Sequence, residues 1–261
     1  MLRVNSAAST ALCNRQYEVA NWRIAEASGL APKLNWVSPD YCYYLSDYVS
    51  GGAPAMASLA DVSQLLSLMK QLANLPSPSN DVSVTSQWQQ YLSKLKDMAS
   101  CLDGNNPEHH KWFSAYCRLI NRTSAIELSL SRLEACLISH QFCHRDLTPD
   151  NILSYQGKLM CIDFEYACAS HPLFELAGVL ASHELTPVLR HELLFGYLDN
   201  HPHLSADAVD AMMDAQILYQ CFGCCWALLM SAQGHQSQNR SDVSIYFSWF
   251  DVYWDAWQKL S

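Results

Sequence analysis

Apolar residues recur along this 261-residue chain in two rhythms, one close to 3.6 residues and one close to two. Residues 1–4 are short and apolar enough for a strand. Residues 10–28 follow the helical rhythm and stop at Gly29, a residue suited to the left-handed turn after a helix. Residues 34–38 and 41–49 carry the aromatic and β-branched side chains of two strands, separated by the turn pair Pro39-Asp40. Ser50-Gly51-Gly52 breaks the pattern and is a candidate hinge. Residues 59–75 return to helical spacing, with Leu59, Val62, Leu65, Leu66, Met69 and Leu72 on one face, and Pro76 and Pro78 end the run. Residues 84–101 and 110–140 predict further helices. Two short apolar runs, 152–154 and 159–162, flank Tyr155-Gln156-Gly157-Lys158 as a hairpin. The remainder predicts helices, the longest over 207–231 and 243–260. The pattern is that of an α+β protein, with a small mixed segment (1–50) ahead of a large, mainly helical one (51–261).

Composition narrows the function classes. Half the residues are hydrophobic and 16% are charged, which suffices for a sizeable core. The net charge of −9 argues against a nucleic-acid-binding surface and suits cationic ligands. Residues 1–12 show no secretory signal, and the 11 cysteines are odd in number and irregularly spaced, so reduced thiols in a cytoplasmic protein are expected. Cys221-x-x-Cys224-Cys225 has no second ligand pair nearby and reads as a packed helix face rather than a zinc site. The most apolar run, 217–232, is about 16 residues long and contains Gln220, short for a membrane span of about 20. The clusters Glu108-His109-His110 and His201-Pro202-His203 read as surface loops.

Chemistry concentrates between residues 144 and 167. His144-Arg145-Asp146-Leu147-Thr148-Pro149-Asp150-Asn151 lies before the hairpin, and Ile162-Asp163-Phe164-Glu165-Tyr166-Ala167 follows it. Phosphoryl transfer from a nucleotide needs an oriented acceptor hydroxyl and divalent metal on the phosphates, with little covalent work by the protein. Asp146 suits the carboxylate that takes the hydroxyl proton. Asn151 and Asp163 suit the hard oxygen ligands that magnesium prefers. A hairpin between the two segments returns Asp163 to the end where Asp146 and Asn151 sit.

These residues carry a resemblance. H-x-D-x-x-x-x-N followed by D-F-E-Y-A resembles the catalytic loop of protein kinases and of the aminoglycoside phosphotransferase and choline kinase superfamily. Protein kinases have D-F-G and A-P-E, whereas Glu165 replaces that glycine here and no A-P-E occurs. Asp163-Phe164-Glu165-Tyr166-Ala167, with Pro172-Leu173-Phe174-Glu175-Leu176-Ala177 after it, looks like choline, ethanolamine and bacterial thiamine kinases. The resemblance implies a protein-kinase-like, two-lobed α+β fold, ATP and Mg2+ as cofactors, Asp146 as base, Asn151 and Asp163 as metal ligands, and His144 as a structural residue of the loop. It further implies Arg3 as the phosphate-contacting cation, Glu18 as its partner on the following helix, and Asp47-Tyr48-Val49 as the segment that meets adenine. The family has two strands and a nucleotide-covering turn ahead of the strand at Arg3. This chain opens at that strand and has no G-x-G-x-x-G, so a shortened small lobe is expected. The acceptor implied is a small cationic alcohol such as choline, ethanolamine or thiamine, for which Glu165, Tyr219 and Trp226 are candidate contacts. Glu165 is equally placed to orient its neighbours. An aminoglycoside-type acceptor, or a lid-less nucleotide-binding pseudo-kinase, are the other readings.

Overall fold

The structure, a computed structural model, describes residues 1–5, 13–50, 56–106, 109–236 and 240–260. They divide into two compact units. One gathers Met1–Ser83 and Leu137–Ala208, the other Val84–Cys136 and Val209–Ser261.

The first unit begins with a three-stranded antiparallel sheet of β1 (Leu2–Val4), β2 (Leu34–Val37) and β3 (Tyr43–Ser46), in the order β1-β3-β2. Helix α1 (Arg15–Ala27) packs against it. Register decides what meets the helix: Arg3 lies opposite Tyr44, while Leu2 and Val4 pair with Leu45 and Tyr43 on the other face. Arg3 and Tyr44 therefore point to α1 together. The helix buries Arg15, Glu18, Val19, Asn21, Trp22 and Ala25, a stripe of helical spacing that includes two charged residues. Asn14 caps its start, accepting from the amides of Gln16 and Tyr17. Its end is a Schellman turn: Gly29, at φ +73°, donates to Glu26 and Leu30 donates to Ala25. The turn leaves the Leu30 carbonyl facing β6 (Lys158–Cys161), whose Cys161 amide donates to it at 2.8 Å.

Further along, α2 (Leu59–Ala73) starts with a capping box of Ser58 and Asp61. Strand β4 (Gln141–Cys143) pairs antiparallel with β7 (Cys168–Ser170), and β5 (Ile152–Tyr155) with β6. Helices α6 (Pro172–Ser182) and α7 (Pro187–Leu198) complete the unit. The second unit is helical: α3 (Val84–Cys101), α4 (His110–Ile120), α5 (Thr123–Ala135), α8 (Met212–Gln236) and α9 (Arg240–Gln258).

Some sequence expectations need correction. Residues 110–140 do not form one helix. The chain turns at Asn121 and Arg122, making α4 and α5, and then leaves helical structure for β4. Strands β4 and β7 are three residues each and buried throughout, so neither shows the alternation that marks a half-exposed strand. The long helix starts at Met212 rather than residue 207, and a short 3-10 turn (Ala206–Val209) precedes it. Of the 10–28 expectation, 10–12 lie outside the described residues, as do Gly51 and Gly52 of the candidate hinge and Glu108.

By length and composition alone, Met212–Ala232 of α8 could cross a membrane, and no other described helix could; 67% of that stretch is buried inside the protein. It packs against α3, α4, α5 and α9, with Cys221, Cys224 and Cys225 in that core. A helix surrounded by its neighbours is apolar on all sides for that reason. At Gly223 the backbone approaches Tyr253 so closely that an added Cβ would sit 2.5 Å from ring atoms Cγ and Cδ1. Alanine gains about 1 kcal/mol of helix propensity over glycine. Overpacking costs typically 1–3 kcal/mol, and a ring cannot bend aside. Gly223→Ala is expected to lower the urea midpoint; a raised midpoint would refute the close approach of α8 and α9.

Candidate active site

The loop after β4 is set by Glu175, in the first turn of α6. Its two carboxylate oxygens accept from the backbone amides of His144 (3.1 Å) and Arg145 (2.7 Å). Arg145 takes a left-handed φ of +69° between them, and its guanidinium stacks on Phe174, 4.4 Å from the ring centroid. Burial pushes Glu175 up to about 7, against the lowering effect of those two amides. Fully buried His144 donates from Nε2 to the Ile162 carbonyl at 3.0 Å, and burial pushes it down to about 4, so the ring is neutral and serves as a structural link.

Asp146 and Asn151 stand on this loop. Asn151 Nδ2 donates to the Asp146 carbonyl (2.9 Å) and to its carboxylate Oδ2 (2.8 Å). That fixes the carboxylate and leaves the Asn151 amide oxygen as the atom it can offer a cation. The Ile162 amide donates to the Asn151 carbonyl at 3.0 Å. The exit of β6 is thus bonded to both His144 and Asn151, and Asp163 arrives beside them. Asp163 adopts φ +66°, ψ +66°, a left-handed conformation that aspartate tolerates better than most residues. Phe164 anchors the turn, stacked on Trp22 (centroids 6.1 Å apart) and tilted against His144 (4.8 Å).

Arg3 meets this loop from β1. Its guanidinium contacts Asp163 at 2.8 Å, Glu18 at 3.3 Å and Glu165 at 3.4 Å. Arg15 contacts Glu18 at 2.6 Å and Glu165 at 3.1 Å, and the Tyr44 hydroxyl donates to Glu18 at 3.1 Å. Glu18 is fully buried and Arg15 nearly so, while the Asp163 side chain is 32% exposed. Three carboxylates, Glu18, Asp163 and Glu165, share the two guanidiniums, leaving one negative charge in excess when all ionise, and Asp146 stands in the field of Asp163 and Glu165. Asp146 responds: burial first, then the charges of Asp163 and Glu165, push it up to about 6. Glu165 is raised likewise, by burial first and then Asp163, with Arg15 and Arg3 opposing. Asn151 and Asp163 carry oxygen donors of the hard kind that magnesium prefers, while among the described residues no group of three or more His, Cys, Asp or Glu is arranged to hold a metal ion.

The structure therefore brings together Arg3, Glu18, His144, Asp146, Asn151, Asp163 and Glu165, which the sequence had singled out on separate segments. Asp47, Tyr48 and Val49 follow β3 directly. Asp47 accepts from Asn35 Nδ2 at 2.8 Å, and Tyr48 is 77% exposed; among the described residues no hydrogen bond joins the three to the acidic cluster. Tyr219 and Trp226 lie on α8 in the other unit, where Trp226 meets Tyr246 edge-on. Arg15 and the anchoring role of Glu175 went unassigned from sequence. Arg15 was signalled by its i,i+3 spacing to Glu18.

The fold is the kinase-like one of choline kinases and aminoglycoside phosphotransferases. Residues 42–206, more than half the chain, match the phosphotransferase enzyme family, and the chain belongs to it. Protein LicA of Haemophilus influenzae (strain KW20/Rd) is 24% identical over 252 residues, covering 94% of this chain and 89% of that one. The choline kinase LicA from Streptococcus pneumoniae has a TM-score of 0.70 at 16% identity, over 99% of this chain and 85% of that one. LicA has also been solved in complex with AMP, again with a TM-score of 0.70, at 15% identity over 100% of this chain and 84% of that one.

The raised Asp146 has a consequence for stability. Its folded value of about 6 lies above the ordinary 3.8, so the neutral acid favours folding and that benefit is lost as pH rises between the two values. Asp146→Asn keeps the contact with Asn151 and removes the charge. In thermal or urea unfolding it is expected to stabilise the ligand-free protein above about pH 6, by on the order of 1 kcal/mol, and to have no such effect below about pH 4. Equal stability at all pH would show that Asp146 is not raised.

Proposed function

We propose that this phosphotransferase moves the γ-phosphate of ATP to the hydroxyl of a small cationic alcohol such as choline, ethanolamine or thiamine. The observation that carries the reading is the Asp146 carboxylate, fixed by Asn151 Nδ2 at 2.8 Å and pushed up to about 6. A base with that value is ionised at neutral pH yet holds a proton better than an ordinary aspartate. In this reading Asp146 orients the acceptor hydroxyl and accepts its proton. The Asn151 amide oxygen and Asp163 would hold Mg2+, which when bound neutralises charge on the nucleotide phosphates. Arg3 turns part of its guanidinium to those phosphates, while Glu18 keeps it on the loop. Glu165, held between Arg3 and Arg15, orients these two cations rather than meeting the acceptor. The LicA structure solved with AMP supports a nucleotide ligand. The likeness to LicA, a choline kinase in Streptococcus pneumoniae, favours an amino-alcohol over an aminoglycoside.

A coupled ADP-release assay with choline, ethanolamine, thiamine and kanamycin tests the reading. One of the amino-alcohols or thiamine is expected to stimulate ADP release, with kcat/KM rising with pH to a plateau above about 6. Asp146→Ala should reduce kcat by at least about 10²-fold while nucleotide binding persists. Nucleotide-induced thermal stabilisation without turnover on any acceptor would instead favour a binding-only protein.

A further inference from the structure

Three segments distant in sequence meet at one main-chain oxygen. The buried carbonyl of Ala167 ends the loop that carries Asp163 and Glu165. Asn21 Nδ2 donates to it at 2.6 Å from α1, and Asn80 Nδ2 donates at 2.9 Å from the segment between α2 and α3. Asn21 Nδ2 also donates to Asn80 Oδ1 at 3.2 Å, which closes a ring of three hydrogen bonds. Ala167 O can only accept, so both amides must present nitrogen to it. Asn80 needs a donor and an acceptor at once, which neither aspartate nor serine of that reach supplies in the same shape.

The placement of the two asparagines gives the ring its leverage. Asn21 lies one helical turn beyond Glu18, on the same buried stripe of α1. Its bond to Ala167 therefore fixes the rotation of the helix that delivers Glu18 to Arg3. The segment bearing Asn80 continues beside β7: Ala169 N donates to Asn80 O and Val82 N to Ala169 O, each at 2.9 Å. Beyond it, Ser170 Oγ donates to the Val82 carbonyl at 2.8 Å and accepts from Arg145 Nη1 at 3.3 Å. One short strap thus touches α1 and the end of the Asp163 loop, and through Ser170 it reaches Arg145, the residue before Asp146.

We propose that Asn21 and Asn80 form a clamp on Ala167 that sets α1 against the 163–167 loop, making both positioning residues for phosphoryl transfer. The catalytic part rests on the phosphotransferase reading; the clamp rests on the geometry alone. Displacing a reacting group by about 1 Å can cost about 10²-fold in rate, and loosening α1 displaces Arg3 and Asp163 relative to each other.

The test compares wild type with Asn80→Asp, which aims a carboxylate oxygen at the Ala167 carbonyl, and with Asn21→Ala, which removes the other donor. Thr186→Ala is the control for general destabilisation, because it deletes the N-cap of α7, where Thr186 Oγ1 accepts from the Leu189 amide. Amide hydrogen exchange is read over 15–27 and 163–169, alongside kcat and KM. Both asparagine variants are expected to speed exchange in the two segments together, and the control only around α7. In the asparagine variants kcat should fall about tenfold or more while KM for the acceptor stays within about twofold. Faster exchange in one segment only, or an equal loss of kcat in the control, overturns the proposal. A wild-type chain without turnover overturns the phosphotransferase reading, and the clamp then stands or falls on the exchange alone.

Discussion

Glu18 cannot be buried without company. It is fully inaccessible on α1, and an isolated carboxylate there would be several kcal/mol out of place. Arg3, Arg15 and the Tyr44 hydroxyl surround it, and through the two guanidiniums it reaches Glu165 and Asp163. An exposed ion pair contributes about 0–1 kcal/mol, whereas removing one member of a buried set leaves an uncompensated charge and costs about 3–5 kcal/mol. The cluster therefore acts as a constraint. Strand β1, helix α1 and the loop after β6 must arrive together or not at all.

The rest of the site follows from that constraint. The loop after β6 holds its turn through Phe164, between Trp22 and His144. His144 and Asn151 bond the two sides of Ile162, and so the segment with Asp163 is tied to the segment with Asp146. Glu175 holds the far side of that segment by two amides. The arrangement concentrates carboxylates beyond what two arginines neutralise. Burial first, and then this surplus, lifts Asp146.

Much of this was legible in the residues themselves. The spacing of Asp146, Asn151 and Asp163 around a hairpin was readable because a hairpin is a local structure with a local turn signal, Gln156-Gly157, both at positive φ. Arg3 and Glu18 were readable from a likeness to known kinases. What escaped was long-range and two-sided. Strands β4 and β7 are buried on both faces and too short for a rhythm. Arg15 carried only a local signal, its i,i+3 spacing to Glu18, and tertiary packing alone encloses it. Asn21 and Asn80 have no pattern in sequence, because their meaning lies in a carbonyl 87 residues past Asn80. Helix α8 read five residues early, at 207–231 instead of Met212–Gln236, because the 3-10 turn Ala206–Val209 ahead of it has the same local spacing as a first helical turn.

The central claim is that this constellation transfers phosphate to an alcohol rather than to water. Phosphorus NMR of the protein with ATP, Mg2+ and choline or ethanolamine tests it most directly. The account expects a phosphomonoester resonance that grows in step with ADP and is absent without the alcohol. Inorganic phosphate as the sole product, or unchanged ATP with every amino-alcohol offered, would contradict it.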